Sequence, residues 1–443
     1  MKIFLVLRSS FFVLSSSFFV LGSSSIKVFA ANEAQGTKNQ EQVAEIYRPQ
    51  AGKFPPVEKA HAYRGELIFV DHANRRGSIR VAGEGMFRRN DPHPFAMLPY
   101  GMVRYHGAPA DLRDIPLGTM MHVLAYLPPD PRISAVPVLP ENNKEKDAGH
   151  YRGAGVFPAE NHVLLIEDEA SYCLREGKAW KLKEVELQSS NQGMILATLE
   201  AKQSGDGKAT EQKLTFDGAL RIWRGRECLT IAELIAEGAW PASGKKSLNA
   251  PSVLLGLTWK PTPDGIFQRF HISDIWLDDA AIQRAAKNQT ETHTALIRGR
   301  WMPAFVDTVE YGKFGRATVT VTLFGGMDSS LYADFNKDSP VLINGAENTL
   351  KHDGGHYGPG HLASRGTILG VVKTPGTAPM GSSGIQVRFE TDLIIEGIRP
   401  GRVVRIHPKG WPDVVLPREE YLGDGPRQED RFPSPAIFPK YNL

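Results

Sequence analysis

Cysteine is scarce in this sequence of 443 residues, which holds only Cys173 and Cys228. Two cysteines build neither a disulfide framework nor a four-cysteine zinc site. A single bridge between them and two free thiols both stay open, because spacing alone does not bring two Cβ atoms together. Each lies beside a strand-like run, Ser171 to Leu174 and Cys228 to Ile231, and no neighbouring histidine offers a base for a catalytic thiolate. There is no phosphate-cradling loop and no dinucleotide fingerprint. The run Gly381, Ser382, Ser383, Gly384 is not spaced as a strained nucleophile elbow and has no histidine or acid close by. After residue 30, no apolar run is long enough to cross a bilayer as a helix, so the expectation is no transmembrane segment once the leader is removed.

Excess charge is also absent once its location is considered. The formal charge is +3, but residues 1–30 hold Lys2, Arg8 and Lys27 and no acid, so the remainder carries 49 basic and 49 acidic residues. Phosphate-backbone binding needs surplus Lys and Arg, which makes nucleic acid the least favoured partner. What is present is globular: 41% hydrophobic and 23% charged residues, in a length that accommodates two or three domains.

Lys2 and Arg8, the diluted apolar run from Phe11 to Gly22, and Val28, Phe29 and Ala30 before a cleavage position read as a secretory signal peptide over residues 1–30. The expected compartment is the periplasm or the cell exterior. An uncleaved anchor is the alternative. Residues 31–60 read as a polar, flexible lead-in, and residues 412–443 as a Pro-rich tail.

Between these ends, alternation dominates and indicates strands. Thr318, Thr320 and Thr322 interleave with Val319, Val321 and Leu323 before Gly325 and Gly326. The stretches 65–71 and 77–81 read as a hairpin, and 193–199 as a further strand. One helix is convincing, over 277–300, with Asp278 or Asp279 as its cap and Gly299 as its stop.

Fragments of a repeat recur. Phe69, Val70 and Asp71 return as Phe305, Val306 and Asp307. A strand with an aromatic residue and a glycine (Tyr105 and Gly107; Trp223 and Gly225) precedes a short acidic-apolar turn at 110–118 and again at 229–238. A similar turn lies at 391–401. This order resembles the small OB-like β-barrel units of exported bacterial proteins of unknown function. The resemblance implies a mainly β fold, with two or three OB-like or related barrels in tandem and one connecting helix. The units are placed at 65–128, 163–276 and 302–411, with a linker at 129–162 and the helix at 277–300. The third unit has no recognisable aromatic-Gly strand and departs most. No catalytic residue comes with the resemblance.

Two loops carry the densest chemistry. His352, Asp353, His356 and His361 supply a ligand set for zinc or another transition metal, with an open position for water. His150 with Tyr151 and His356 with Tyr357 share a Gly-His-Tyr pattern followed by glycines, which suits either a shared ligand site or two turns. Asp274, Asp278 and Asp279 near Trp276 offer a carboxylate pair, although helix capping explains the later two. Trp180, Trp223, Trp259, Trp276 and Trp301 serve either as stacking platforms or as core. The reading these features favour is an exported, non-catalytic binding or scaffolding protein without a cofactor, in contact with cell-envelope polysaccharide or protein. A metal-dependent hydrolase built on the histidine loop is the alternative.

Overall fold

The structure, a computed structural model, describes residues 47, 49–72, 75–81, 92–126, 161–201, 211–249, 252–261, 268–345, 363–392 and 398–412. The chain divides into Met1–Glu45 and Ile46–Leu443, and every described residue belongs to the second unit. The leader and both Gly-His-Tyr loops, with His150, Tyr151, His352, Asp353, His356, Tyr357 and His361, lie outside the described residues.

Alternating burial builds the first barrel. Strands β1 (His61–Asp71) and β2 (Arg76–Val81) form the expected hairpin, followed by β3 (Pro92–Tyr105), β4 (Ala108–Pro109), β5 (Met120–Tyr126) and β6 (Asn161–Asp168). The ring closes in the order β1, β2, β3, β6, β5, with β3 and β6 parallel and the other ring pairs antiparallel. That is OB-like topology. Its interior is filled by Leu67, Ile79, Phe95, Val123 and Ile166. The closing strand at 161–168 falls in the stretch read as linker and start of the second unit. A parallel partner needs a long crossover, so sequence proximity points to the wrong neighbour.

Residues 169–177 then turn helical. Asp168 caps α1 (Glu169–Glu176) by accepting from the Ser171 N–H at 3.0 Å, and Gly177 ends it in the left-handed region at φ 61°. The strand-like reading of Ser171 to Leu174 gives way to these caps. The second barrel follows with β7 (Lys178–Ser189), β8 (Gln192–Ala201), β9 (Glu211–Phe216), β10 (Arg221–Arg224), β11 (Glu227–Leu229), α2 (Ile231–Ala236), β12 (Gly244–Ser247), β13 (Ser252–Pro261) and β14 (Gln268–Trp276). Its ring runs β7, β8, β9, β14, β13, with β14 parallel to both β9 and β10.

The two barrels repeat in detail. In each, a glycine on the second strand lies under a phenylalanine of the third: Gly77 faces Phe95, and Gly193 faces Phe216. A Cβ would come within 2.6 Å of the Phe95 ring at the first and 2.6 Å of the Phe216 ring at the second. Each acidic-apolar turn also opens with a reciprocal capping box, Asp111 with Asp114 and Thr230 with Glu233.

Helix α3 (Asp279–Arg300) begins at the Asp278 cap, as read from sequence. It runs past Gly299 and stops at Trp301, which takes φ 69°. The third barrel comprises β15 (Met302–Tyr311), β16 (Ala317–Phe324), α4 (Ser329–Ala333), β17 (Pro340–Gly345), β18 (Ser364–Lys373), β19 (Ser382–Thr391) and β20 (Val403–Pro408). It closes as β15, β16, β19, β18, β17, β20 with every pair antiparallel. Val319, Val321 and Leu323 point into its core. It is a related barrel of a different topology, which accounts for its missing aromatic-Gly strand.

Packed interfaces join the barrels. Tyr100 of the first meets Phe305 of the third at 5.5 Å between ring centres. Phe54 wedges against both, at 5.0 and 5.5 Å. The end of the lead-in is therefore an aromatic anchor between two barrels, not a loose segment. Between the first and second barrels, the wholly buried Glu169 accepts from Arg64 on β1 (2.9 Å) and the Trp180 indole (3.0 Å), and pairs with His122 on β5 (2.7 Å).

Candidate functional site

The two aromatic-Gly strands end beside each other. After β3 the chain turns through His106 and Gly107, both at positive φ, 54° and 81°. Their N–H groups donate to the Asp168 carboxylate (3.3 Å) and to Ser171 Oγ (2.8 Å) at the start of α1, which clamps the turn. His106 stacks on Tyr105 at 3.7 Å and sets its ring near Trp276 at 5.1 Å. In the second barrel, β10 brings Trp223 forward and turns at Gly225, φ 54°, into β11. Asp278, the α3 cap, accepts from both the Gly225 N–H (2.9 Å) and the Ala281 N–H (2.8 Å), so one carboxylate joins hairpin to helix.

Between these parts lies a pocket of about 280 Å³. Barrel one contributes His106, barrel two Trp223, Asp274 and Trp276, and one face of α3 contributes Arg284 and Asn288. Asp274 is 3% exposed, accepting from Arg221 Nη2 at 2.8 Å and Trp223 Nε1 at 3.0 Å. The proposed carboxylate pair is therefore divided: Asp274 belongs to this network, and Asp278 caps the helix. Arg226 and Arg284 also line the pocket, and Arg284 Nη1 donates to the Arg226 carbonyl at 3.0 Å. Neither guanidinium has a carboxylate partner among the described residues. Burial, with a smaller opposing pull from Asp274, lowers the His106 pKa to about 4, so its imidazole is neutral at neutral pH.

A second polar cluster serves as a joint. A cavity of about 70 Å³ between the first and third barrels is edged by Arg75, Asp111, His293, Arg300 and Arg405. Arg75 is spent on the carbonyls of Pro99 (2.8 Å) and Gly101 (2.6 Å), and Arg405 on that of Arg300 (2.9 Å). A space that small takes water, not an organic ligand. Cys173 and Cys228 are both free. Cys173 is buried and its thiol is pushed up by burial and by Glu169, which makes it inert, while Cys228 is exposed on β11. Of the tryptophans, Trp180, Trp276 and Trp301 are core, and Trp223 is half-buried at the pocket.

No group of three metal-ligating side chains stands together among the described residues. The histidine loop assigned to zinc lies outside them, and so does its Gly-His-Tyr counterpart. Of the residues the structure brings together, Asp274 stood out in the sequence as a carboxylate candidate, Trp223 and Trp276 as stacking candidates, and Tyr105, Gly107 and Gly225 as repeat markers. Arg284 carried no signal, and Asn288 and Arg226 carried signals of another kind (a glycosylation sequon and a charge beside Cys228), because nothing in the linear order places α3 over the β10–β11 turn. Comparison with protein-family models, curated proteins and solved structures yields no match.

Proposed function

We propose that the chain is an exported, non-catalytic binding protein of the cell envelope, holding one ligand pocket between two OB-like barrels and a helix. The observation that carries this reading is how the pocket is made. Its side chains stand on strands, a clamped turn and a capped helix, so they are positioned before any ligand arrives. Its one buried carboxylate is already hydrogen-bonded to Arg221 and Trp223, which suits a structural acceptor better than a general base. OB-like barrels offer such faces to oligosaccharides and other extended ligands. The leader at residues 1–30 supports export.

Co-sedimentation of the purified protein with isolated cell wall and envelope polysaccharide tests this. Wild type is retained, and Ala285→Trp, which places an indole in the pocket from a half-exposed helix position, is released without a change in melting temperature. Equal retention of both proteins, or of neither, overturns the reading. Stoichiometric zinc in untagged protein, lost on replacing His356 and His361 with alanine, would instead favour the metal-dependent hydrolase.

A further inference from the structure

Resting on that reading, we infer that the pocket takes an acidic sugar unit, its carboxylate held by Arg226 and Arg284 and its ring laid against Trp223. Charge comes first. Three guanidiniums, Arg221, Arg226 and Arg284, surround the pocket with one buried carboxylate, Asp274. Arg221 and Asp274 neutralise each other in a 2.8 Å ion pair. Arg226 and Arg284 remain, two positive charges without an acidic partner among the described residues. They stand on different elements, the β10–β11 turn and α3, tied at 3.0 Å through the Arg226 carbonyl. That bond uses a single N–H of Arg284. The remaining planar forks of both residues match a carboxylate, which accepts paired N–H bonds.

The apolar side points to a ring. The indole N–H of Trp223 is committed to Asp274, so the surface this side chain adds to the pocket is hydrocarbon. The oxygens of Asp274 each accept one of these bonds and retain lone pairs for hydroxyl donors. Asn288 adds an amide that both donates and accepts. Hydroxyl partners beside an apolar plane are the chemistry of a pyranose. Size agrees: about 280 Å³ lies just under the range of about 300–1,000 Å³ typical of drug-sized ligands, which is room for about one ring. The exposed arginines leave the mouth open for the rest of a polymer. Phosphate-rich ligands are disfavoured by the 49-to-49 charge balance after residue 30.

The test is titration of the protein without its leader, by tryptophan fluorescence and calorimetry, with three probes: a glucuronic acid oligosaccharide, a neutral glucose oligosaccharide of equal length, and adenosine monophosphate. The acidic oligosaccharide should bind at least tenfold tighter than the other two. That affinity should fall at least tenfold in Trp223→Ala and in the double variant Arg226→Ala/Arg284→Ala, with unchanged circular dichroism. Lysine at both positions should recover only part of it. Equal binding of the neutral oligosaccharide, or tighter binding of the nucleotide, overturns the acidic-sugar assignment. So does no binding of any probe. If Ala285→Trp still releases the protein from envelope material in those cases, the pocket reading survives and the ligand class alone has failed.

Discussion

Glu169 joins two barrels through one buried carboxylate. Burial alone would raise its pKa, but the Arg64 charge and hydrogen bonds from His122 and Trp180 outweigh it and hold the carboxyl at about 2. Removing one member of such a buried pair leaves the other charge uncompensated, a loss of about 3–5 kcal/mol. Glu169→Ala should cost that much in urea denaturation at pH 7. The same experiment repeated across pH has a signed outcome. His106 and His162 sit at about 4 because burial disfavours their charged forms, against an ordinary 6.5. The unfolded chain therefore binds protons first, and stability falls as pH drops from 6.5 to 4. Asp168, lifted to about 6 by burial, acts oppositely between 6 and 3.8 and offsets part of that fall. A further loss, from 4.5 down to about 2, comes in part from Glu169, alongside other depressed carboxylates such as Asp111 and Asp217, and should shrink in Glu169→Ala. An acid limb of undiminished size in the variant would remove Glu169 from the account.

Among elements, the glycine under a phenylalanine on the second and third strands is the unit of repetition. At Gly77 an added Cβ would meet the Phe69 carbonyl at 2.5 Å, and at Gly193 the Glu186 carbonyl at 2.3 Å. Backbone cannot yield as a side chain does, so Gly77→Ala and Gly193→Ala should each cost about 1–3 kcal/mol by chemical denaturation. Losses below about 0.5 kcal/mol would mean that the strands can re-space. Elements were the scale at which sequence was most legible. The alternation around Val319, Val321 and Leu323, the 65–71 and 77–81 hairpin and the Asp278 cap all follow from local periodicity and capping chemistry. Helix α1 was missed although Asp168, Ser171 and Gly177 spell its two ends, because the apolar pattern of Cys173 and Leu174 fits a strand equally well. The pocket was legible only in pieces, as Asp274, Trp223 and Trp276, and its assembly was not. Its arginines come from a hairpin turn and a helix 58 residues apart, and their meeting depends on the cap that Asp278 shares with Gly225.

For the whole molecule, the interfaces make three barrels behave as one. Tyr100, Phe305 and Phe324 are each no more than 1% exposed, and Phe54 from the lead-in completes their cluster. Truncating a fully buried aromatic residue costs about 3–5 kcal/mol. Tyr100→Ala removes it from a joint, not from inside a barrel. Calorimetry of the wild type should give a single transition, and the variant should split into two, the third barrel melting apart from the first pair. A lone, uniformly shifted transition in Tyr100→Ala would show that the aromatic joint does not carry the coupling.

The parallel closure of the first barrel by β6 also sets a timetable for the nascent polypeptide. Residues 61–126 hold four of its five ring strands, yet β3 and β5 keep unpaired edges until residue 168 has been made. Bare strand edges invite pairing with other chains. The eight residues that follow form α1, whose Glu169 and Ser171 bind the first barrel and whose Glu169 also accepts from Trp180 of the second. Sealing one barrel and seeding the next thus fall within a single short stretch of synthesis. Ribosome-stalled chains ending before residue 161 should need a chaperone, and those released beyond residue 176 should have passed the hazard.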